Sequence, residues 1–242
     1  KTILFLGATG ASGPAVLRRS LAASHTCIAL CRTPSSLKAK LSKAEQKDLA
    51  LRIEQGNAHE VEDLTRCLVL PSSSPSSPPM LVGLVVFCIG GALDLWCRTI
   101  PDPKVCETAI ARLLEALDLY RAQQSAEHKQ YPRMVAFSTT GVTETGCEVP
   151  LAVAPLYHFF LGVPHVDKRA MEKTLVASTE RWTILRPSFL TDGPETGRPI
   201  RVGVEDRLAG TVDSREIGYS ISREDVGRWV FGNIVEEHDN RF

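Results

Sequence analysis

The chain has 242 residues, too many for a minimal domain and too few for two large ones, which fits one domain with at most a small appended lobe. Its 43% hydrophobic and 23% charged residues exclude a disordered, collagen-like or coiled-coil protein. Lysine plus arginine equals aspartate plus glutamate at 28 each, so no global field draws the chain to nucleic acid or to an anionic membrane.

From the start, apolar β-rich runs alternate with helical patterns. Ile3 to Leu6 reads as a strand buried on both faces and ends at Gly7. Gly13 to Ala23 carries Val16, Leu17 and Leu21 at helical spacing. Thr26 to Cys31 is a second strand, and Ser36 to Lys47 a second helix. Leu51 to Glu54 is a weaker strand, followed by a helix over Val61 to Val69. Pro71 to Pro79 is a proline- and serine-rich tract, expected as a mobile surface loop. Leu84 to Ile89 is the most apolar strand. Val105 to Tyr120 places Ile110, Leu113, Leu114 and Leu117 on one helical stripe. Met134 to Ser138 and Thr183 to Leu185 are strands that bracket a helix over Val166 to Ala177. The alternation stops after Pro187: Ile200 to Val204 and Tyr219 to Ser222 read as short strands before a helix over Arg223 to Val235. The expected architecture is α/β, a Rossmann-type doubly wound parallel sheet over 1–242, with 188–222 forming a small C-terminal lobe on the substrate side. A further edge strand is expected beyond Phe242.

The seven cysteines are an odd number without a CxxC pair, and several sit in apolar runs such as Val85-Val86-Phe87-Cys88-Ile89. That usage points to a reducing, cytoplasmic setting rather than a disulfide framework. No run of ~18 apolar residues marks a membrane span. Lys1 to Leu6 lacks a signal-peptide pattern, and position 1 is not Met, which points to a trimmed chain. Neither the six histidines nor the cysteines have metal-ligand spacing, so no metal is expected.

The chemistry starts at Gly7-Ala8-Thr9-Gly10-Ala11-Ser12-Gly13, between the first strand and the first helix. In that position one glycine makes the tight turn, one admits a pyrophosphate against the backbone, and one lets the helix pack on the strand. The spacing is GxxGxxG rather than the dehydrogenase GxGxxG. The second strand runs into Arg32-Thr33-Pro34-Ser35-Ser36, with Lys38 beyond and no carboxylate. An acidic residue there would bind a ribose 2′-hydroxyl, whereas an arginine accepts a 2′-phosphate, so the cofactor read from these residues is NADP(H).

On these residues the chain resembles the atypical short-chain dehydrogenase/reductase family, nearest its NAD(P)H-binding NmrA-like branch and the biliverdin reductase B type of flavin reductase. The resemblance runs from Thr2 to about Val235. It rests on Gly7 to Gly13, Arg32, Gly56-Asn57-Ala58, Ile89-Gly90-Gly91, Ser138-Thr139-Thr140-Gly141 and Arg186-Pro187-Ser188-Phe189-Leu190. It implies that Asn57 and Ala58 flank the adenine, that Ile89 to Gly91 line the adenosine ribose, and that Pro187, Ser188, Phe189 and Leu190 pass the nicotinamide amide. Asn57 stands where the family usually carries Asp.

The family's dehydrogenases pair a tyrosine with a lysine four residues later, so that the ammonium lowers the phenol's pKa. Ser138 fits the serine of that set and Lys168 the lysine, which also binds the nicotinamide ribose. The tyrosine position holds Pro164. Tyr157 lies eleven residues before Lys168, beyond a Gly162-x-Pro164 break expected to end the helix, so it is not expected on the same face. His165 and His158 are expected in the loop entering that helix, where His165, His158 or Tyr157 would serve as proton donor. Asp167, Arg169 and Glu172 read as a charged first helical turn.

Three functions remain open on the residues. One is an NADPH-dependent reductase acting on a small conjugated acceptor such as a flavin, quinone or enone without a tyrosine acid. Another is a non-catalytic NADP(H)-sensing regulator that binds a protein partner, and a third is an isomerase using the same pocket. A small-molecule substrate is expected, with no nucleic-acid or membrane partner, and a homodimer is open.

Overall fold

The inner strands of this chain are apolar on both sides and can be covered on both faces, whereas the edge strands alternate with polar residues such as Arg52 and Glu54. Thr2–Leu6 (β1), Thr26–Cys31 (β2), Leu51–Gln55 (β3), Leu84–Phe87 (β4), Arg133–Phe137 (β5) and Arg181–Leu185 (β6) form a six-stranded parallel sheet. The computed structural model describes residues 1–71, 79–91, 101–142, 154–214, 216 and 218–237, with the backbone alone for residue 126 and residues 154–163. The strand order is β3-β2-β1-β4-β5-β6. It reverses direction between β1 and β4, and the crevice beyond the carboxyl ends of those strands is where ligands bind in such sheets.

Helices Gly13–Ala22 (α1), Pro34–Lys38 (α2), Val61–Leu68 (α3), Val105–Ala122 (α4), Ala154–Val176 (α5) and Arg223–Val230 (α6) cover both faces. Alternation along β1 divides the core. Leu4 and Leu6 pack with Leu64, Ile110, Leu113 and Met171 under α3, α4 and α5. Ile3 and Phe5 pack with Val16, Leu17, Val226 and Val230 under α1 and α6. Gly227 meets Ala15 so closely that an added Cβ would lie 2.4 Å from the alanine methyl, which brings α6 tightly onto α1. A buried pair fixes the far end: Arg121 donates to both Glu180 oxygens (2.5 and 2.7 Å) and to the Gln130 carbonyl (3.1 Å).

Several expectations change. The helix expected over Ser36 to Lys47 is the short α2, followed by one 3-10 turn at Glu45–Lys47. The helix expected from Val166 begins at Ala154 and runs through Pro164, whose missing N–H removes one hydrogen bond without stopping it. Beyond the break, Met171 and Leu175 of α5 pack in the core with Ile110 and Leu113 of α4. In the lobe, Val204–Asp206 pairs with Thr211–Ser214, and Phe189–Thr191 pairs in parallel with Ser220–Ser222. Ile200 to Gly203 is not a strand, and the last helix passes at Phe231 into a π-turn, Phe231–Val235. Most of the Pro71 to Pro79 tract lies outside the described residues. Its flanks, Val69–Leu70 and Met80–Leu81, form a short antiparallel pair that the sequence reading lacked. No described helix is long and apolar enough to cross a membrane.

Candidate cofactor and active site

The glycine loop leaves β1 at the sheet's reversal point. Gly7 sits at φ +75, and a Cβ there would lie 2.7 Å from the Ile89 nitrogen and 2.8 Å from the Cys88 carbonyl carbon. Only glycine meets both demands. Gly13 packs on Ala8 at 3.2 Å, closing helix on loop. Gly10 N–H donates to the Gly7 carbonyl (2.9 Å) and Gly13 N–H to the Gly10 carbonyl (3.0 Å). Among the described residues no protein acceptor takes the N–H of Ala11 or Ser12. Ser12 is the N-cap of α1, yet its buried hydroxyl caps nothing and has no hydrogen-bond partner among the described residues.

At the end of β2, Arg32 and Lys38 are exposed and form no ion pair among the described residues. The Gly56-Asn57-Ala58 turn is held from below. Asp63 accepts the Asn57 N–H (2.8 Å) and packs under Gly56, while Asn57 Oδ1 accepts the His59 N–H (3.2 Å). The Asn57 amide hydrogen bond, helped by Arg66, holds the Asp63 carboxyl below the usual range. Ala58 and Ile89 turn their side chains onto the core, so they offer backbone and edge contacts to a ligand. Gly90 is exposed, and among the described residues a Cβ there would meet nothing within 4 Å.

At the end of β5, Ser138 is 7% exposed and its Oγ has no hydrogen-bond partner among the described residues, while its N–H donates to the Leu185 carbonyl (2.7 Å). Thr140 N–H reaches the Pro187 carbonyl (3.3 Å), which places Pro187, Ser188 and the exposed Phe189 beside the Ser138 strand end. Leu190 is partly buried and packs against the core cluster that α1 and α6 cover.

Helix α5 supplies the remaining groups and corrects their reading. Lys168 Nζ donates to the Ile89 carbonyl (2.7 Å) and the Phe137 carbonyl (2.6 Å), bridging the ends of β4 and β5. One of its three donors remains for a ligand. Asp167, Arg169 and Glu172 lie well inside the helix, not in its first turn. Asp167 accepts the Cys106 and Glu107 N–H groups (both 2.9 Å), capping α4 from across the structure. Arg169 donates to the Val142 carbonyl (3.2 Å), and Glu172 takes a two-pronged grip from Arg186 (3.0 and 2.6 Å). Arg186 also holds Glu205 (2.9 Å), tying the lobe to the sheet.

His165 is inside α5 and 4% exposed, not in an open loop. Because the helix is continuous, Tyr157 stands three turns before Lys168 on the same side of the backbone, not on another face. The separation is about 16 Å along the axis, too far for both to meet one ribose. The side chains of Tyr157 and His158 lie outside the described residues, as do 92–100 and 143–153. Sequence reading missed Asp63, Asp167 and Glu172 in their supporting roles, as well as Lys40, whose ammonium donates to the Thr9 carbonyl (2.7 Å). Among the described residues no group of three or more His, Cys, Asp or Glu side chains could hold a metal ion.

These features fit a dinucleotide. Among the described residues, a glycine-rich loop with unused N–H groups suits a pyrophosphate, Gly90 presents no side chain beside it, and the unpartnered Ser138 hydroxyl stands at the end of β5. The residues that would hold it are Gly7 to Gly13, Arg32, Asn57, Gly90 and Lys168.

A family model described as NAD(P)H-binding matches residues 7–237. The chain is 36% identical to reductase pytE of Aspergillus terreus over 98% of its own length and 92% of the relative's. It is 34% identical to oxidase pynE of Aspergillus niger over 97% and 92%. Among solved structures it superimposes on a short-chain dehydrogenase/reductase of Veillonella parvula with a TM-score of 0.70 at 16% identity, covering 100% of this chain and 89% of that one. On ChuY, an anaerobilin reductase of Escherichia coli, the TM-score is 0.60 at 19% identity, covering 96% and 90%. Family model, relatives and glycine cradle agree: this chain belongs to the NAD(P)H-binding family and is an oxidoreductase, built on the fold it shares with a short-chain dehydrogenase/reductase.

Proposed function

We propose that the protein is an NADPH-dependent reductase that delivers hydride to a small, electron-poor conjugated acceptor: a flavin, a quinone or an enone. The observation that carries this reading is the setting of Lys168. Pro164 stands one turn before it, and its ammonium is already engaged by two strand carbonyls, so the phenol–ammonium pair of an alcohol dehydrogenase is absent from this helix. A conjugated acceptor spreads the charge that arrives with the hydride and needs no strong protein acid.

A bound nicotinamide supplies the hydride and leaves oxidised. The acceptor takes the electron pair with that hydride and then a proton from water. The chain's residues bind and orient. Ser138 Oγ, buried and without a partner among the described residues, donates to an acceptor oxygen in this reading. Lys168 keeps one N–H for the nicotinamide ribose, and the Ala11 and Ser12 amides receive the pyrophosphate. Arg32, exposed after β2 and without an ion pair among the described residues, receives the 2′-phosphate, its planar fork matching a phosphate's oxygens. The names of the two fungal relatives, one a reductase and one an oxidase, support two-electron chemistry on this scaffold. The five described cysteines are free and buried, which supports a reducing, cytoplasmic setting. Balanced charge supports a small-molecule substrate rather than nucleic acid or a membrane.

The test of the cofactor is calorimetry with NADPH and NADH on wild type and Arg32→Ala. The expected result is tighter binding of NADPH, weakened by about 1–3 kcal/mol in the variant, with NADH unaffected. Equal binding of both dinucleotides by wild type would overturn the NADP(H) assignment.

A further inference from the structure

A trans peptide points its C=O and its N–H in opposite directions, so a peptide held at both ends cannot turn over. The Thr9–Gly10 peptide is held this way: its N–H donates to the Gly7 carbonyl (2.9 Å), and its C=O accepts from Lys40 Nζ (2.7 Å). We propose that Lys40 is a positioning residue for the cofactor loop, a latch that fixes the Thr9–Gly10 peptide and so holds the following Ala11 and Ser12 amides for a pyrophosphate. The proposal rests on the reading that this loop binds a nicotinamide dinucleotide.

Two further observations make the latch more than a chance surface contact. The backbone under Lys40 is anchored, because Leu37 and Leu41 are buried at 0% and 6% and the Lys40 carbonyl accepts from Arg18 (3.4 Å). The ammonium therefore reaches Thr9 from a fixed base and loses little backbone freedom in doing so. The loop it meets is conformationally costly: Ala11, directly after Gly10, sits at φ 43, where an L-residue with a Cβ rests only if its neighbours hold it. If the peptide before it is released, the Gly7–Gly10 turn bond is lost and the loop can relax to shapes whose Ala11 and Ser12 amides no longer converge.

The role differs from that of Arg32. A loop latch serves the pyrophosphate, which NADPH and NADH share, whereas a 2′-phosphate ligand serves NADPH alone. Lys40→Met is therefore expected to weaken both dinucleotides by the same factor, roughly three- to tenfold. The NADPH-to-NADH ratio should stay as in wild type, and Lys40→Arg, which keeps the charged donor, should recover most of the affinity. Amide hydrogen exchange at Gly10 in the cofactor-free protein reads the latch directly, with Lys40→Met expected to speed it by about threefold or more. Unchanged Gly10 exchange with unchanged affinities would overturn the proposal. So would a loss confined to NADPH, which would make Lys40 a phosphate ligand. If wild type bound neither dinucleotide, the cofactor reading would fail by itself, and Gly10 exchange would still decide whether Lys40 holds the loop.

Discussion

Lys168→Met removes an ammonium that bridges two adjacent strand ends, and its cost follows from what it leaves behind. The Phe137 carbonyl loses a charged donor at 2.6 Å, and the Ile89 carbonyl loses one at 2.7 Å. A hydrogen bond from a charged donor contributes about 1.5–3 kcal/mol. Two reductions apply. Ile89 keeps a weak donor in Cys106 Sγ (3.3 Å), and Lys168 is only half-buried, so water can reach part of the site. Roughly 2–3 kcal/mol of stability should therefore be lost, which for a chain of this size lowers Tm by about 4–12 °C. Urea denaturation followed by tryptophan fluorescence measures the loss, since Trp182 and Trp229 pack against opposite faces of the core. A variant within about 0.5 kcal/mol of wild type whose cofactor affinity nevertheless falls would refute the strand-bridging role and leave Lys168 a ribose ligand alone.

Gly7→Ala places a Cβ against the Ile89 nitrogen at a backbone angle that alanine resists, so it should cost roughly 2–4 kcal/mol and abolish dinucleotide binding in a titration. Asp167→Ala strands two N–H groups at the start of α4 and should cost about 2–3 kcal/mol by urea denaturation, with Asp167→Asn losing less because one acceptor oxygen remains. Acid stability has a defined sign. Burial would raise the Asp225 carboxyl, but hydrogen bonds from Ser222 and Thr196 outweigh it, and that carboxyl, like Asp63, lies below its ordinary value. A depressed carboxyl contributes stability above the unfolded pKa, near ~3.9, and loses it as pH falls through the lower folded value. The Asp225→Asn variant should therefore show a shallower loss of stability below about pH 4 than wild type in thermal melts.

What the sequence made legible is what is local. Continuous apolar runs marked β1, β2 and β4 because a strand covered on both faces leaves no polar side, and the glycine loop declared itself because Gly7 answers a local demand of backbone angle and close approach. The supporting groups did not, because their partners are remote: Lys40 meets Thr9 31 positions away, and Asp167 meets Cys106 61 positions away. Nothing in the spacing of either residue signals such a contact. The start of α5 was misread for the opposite reason. Gly162-x-Pro164 is a strong local breaker, yet the helix runs through it, losing one hydrogen bond, and beyond it Met171 and Leu175 pack in the core with α4. That error carried the two histidines and the acidic residues of α5 into a loop and a first turn that do not exist. The short strands after Pro187 were hard to place, since three- and four-residue strands have too few positions to show a period.

The central claim is hydride delivery from NADPH to a conjugated acceptor without a tyrosine acid. Its most direct test is to mix NADPH, deuterated at the transferable position, with the protein and a flavin, a quinone or an enone, and to follow nicotinamide absorbance and the label. The account predicts NADPH oxidation with at least one acceptor, deuterium on the reduced product where the site does not exchange with water, and an unchanged rate in Tyr157→Phe. Tight NADPH binding with no oxidation by any acceptor class would contradict it and point to a redox-sensing protein instead.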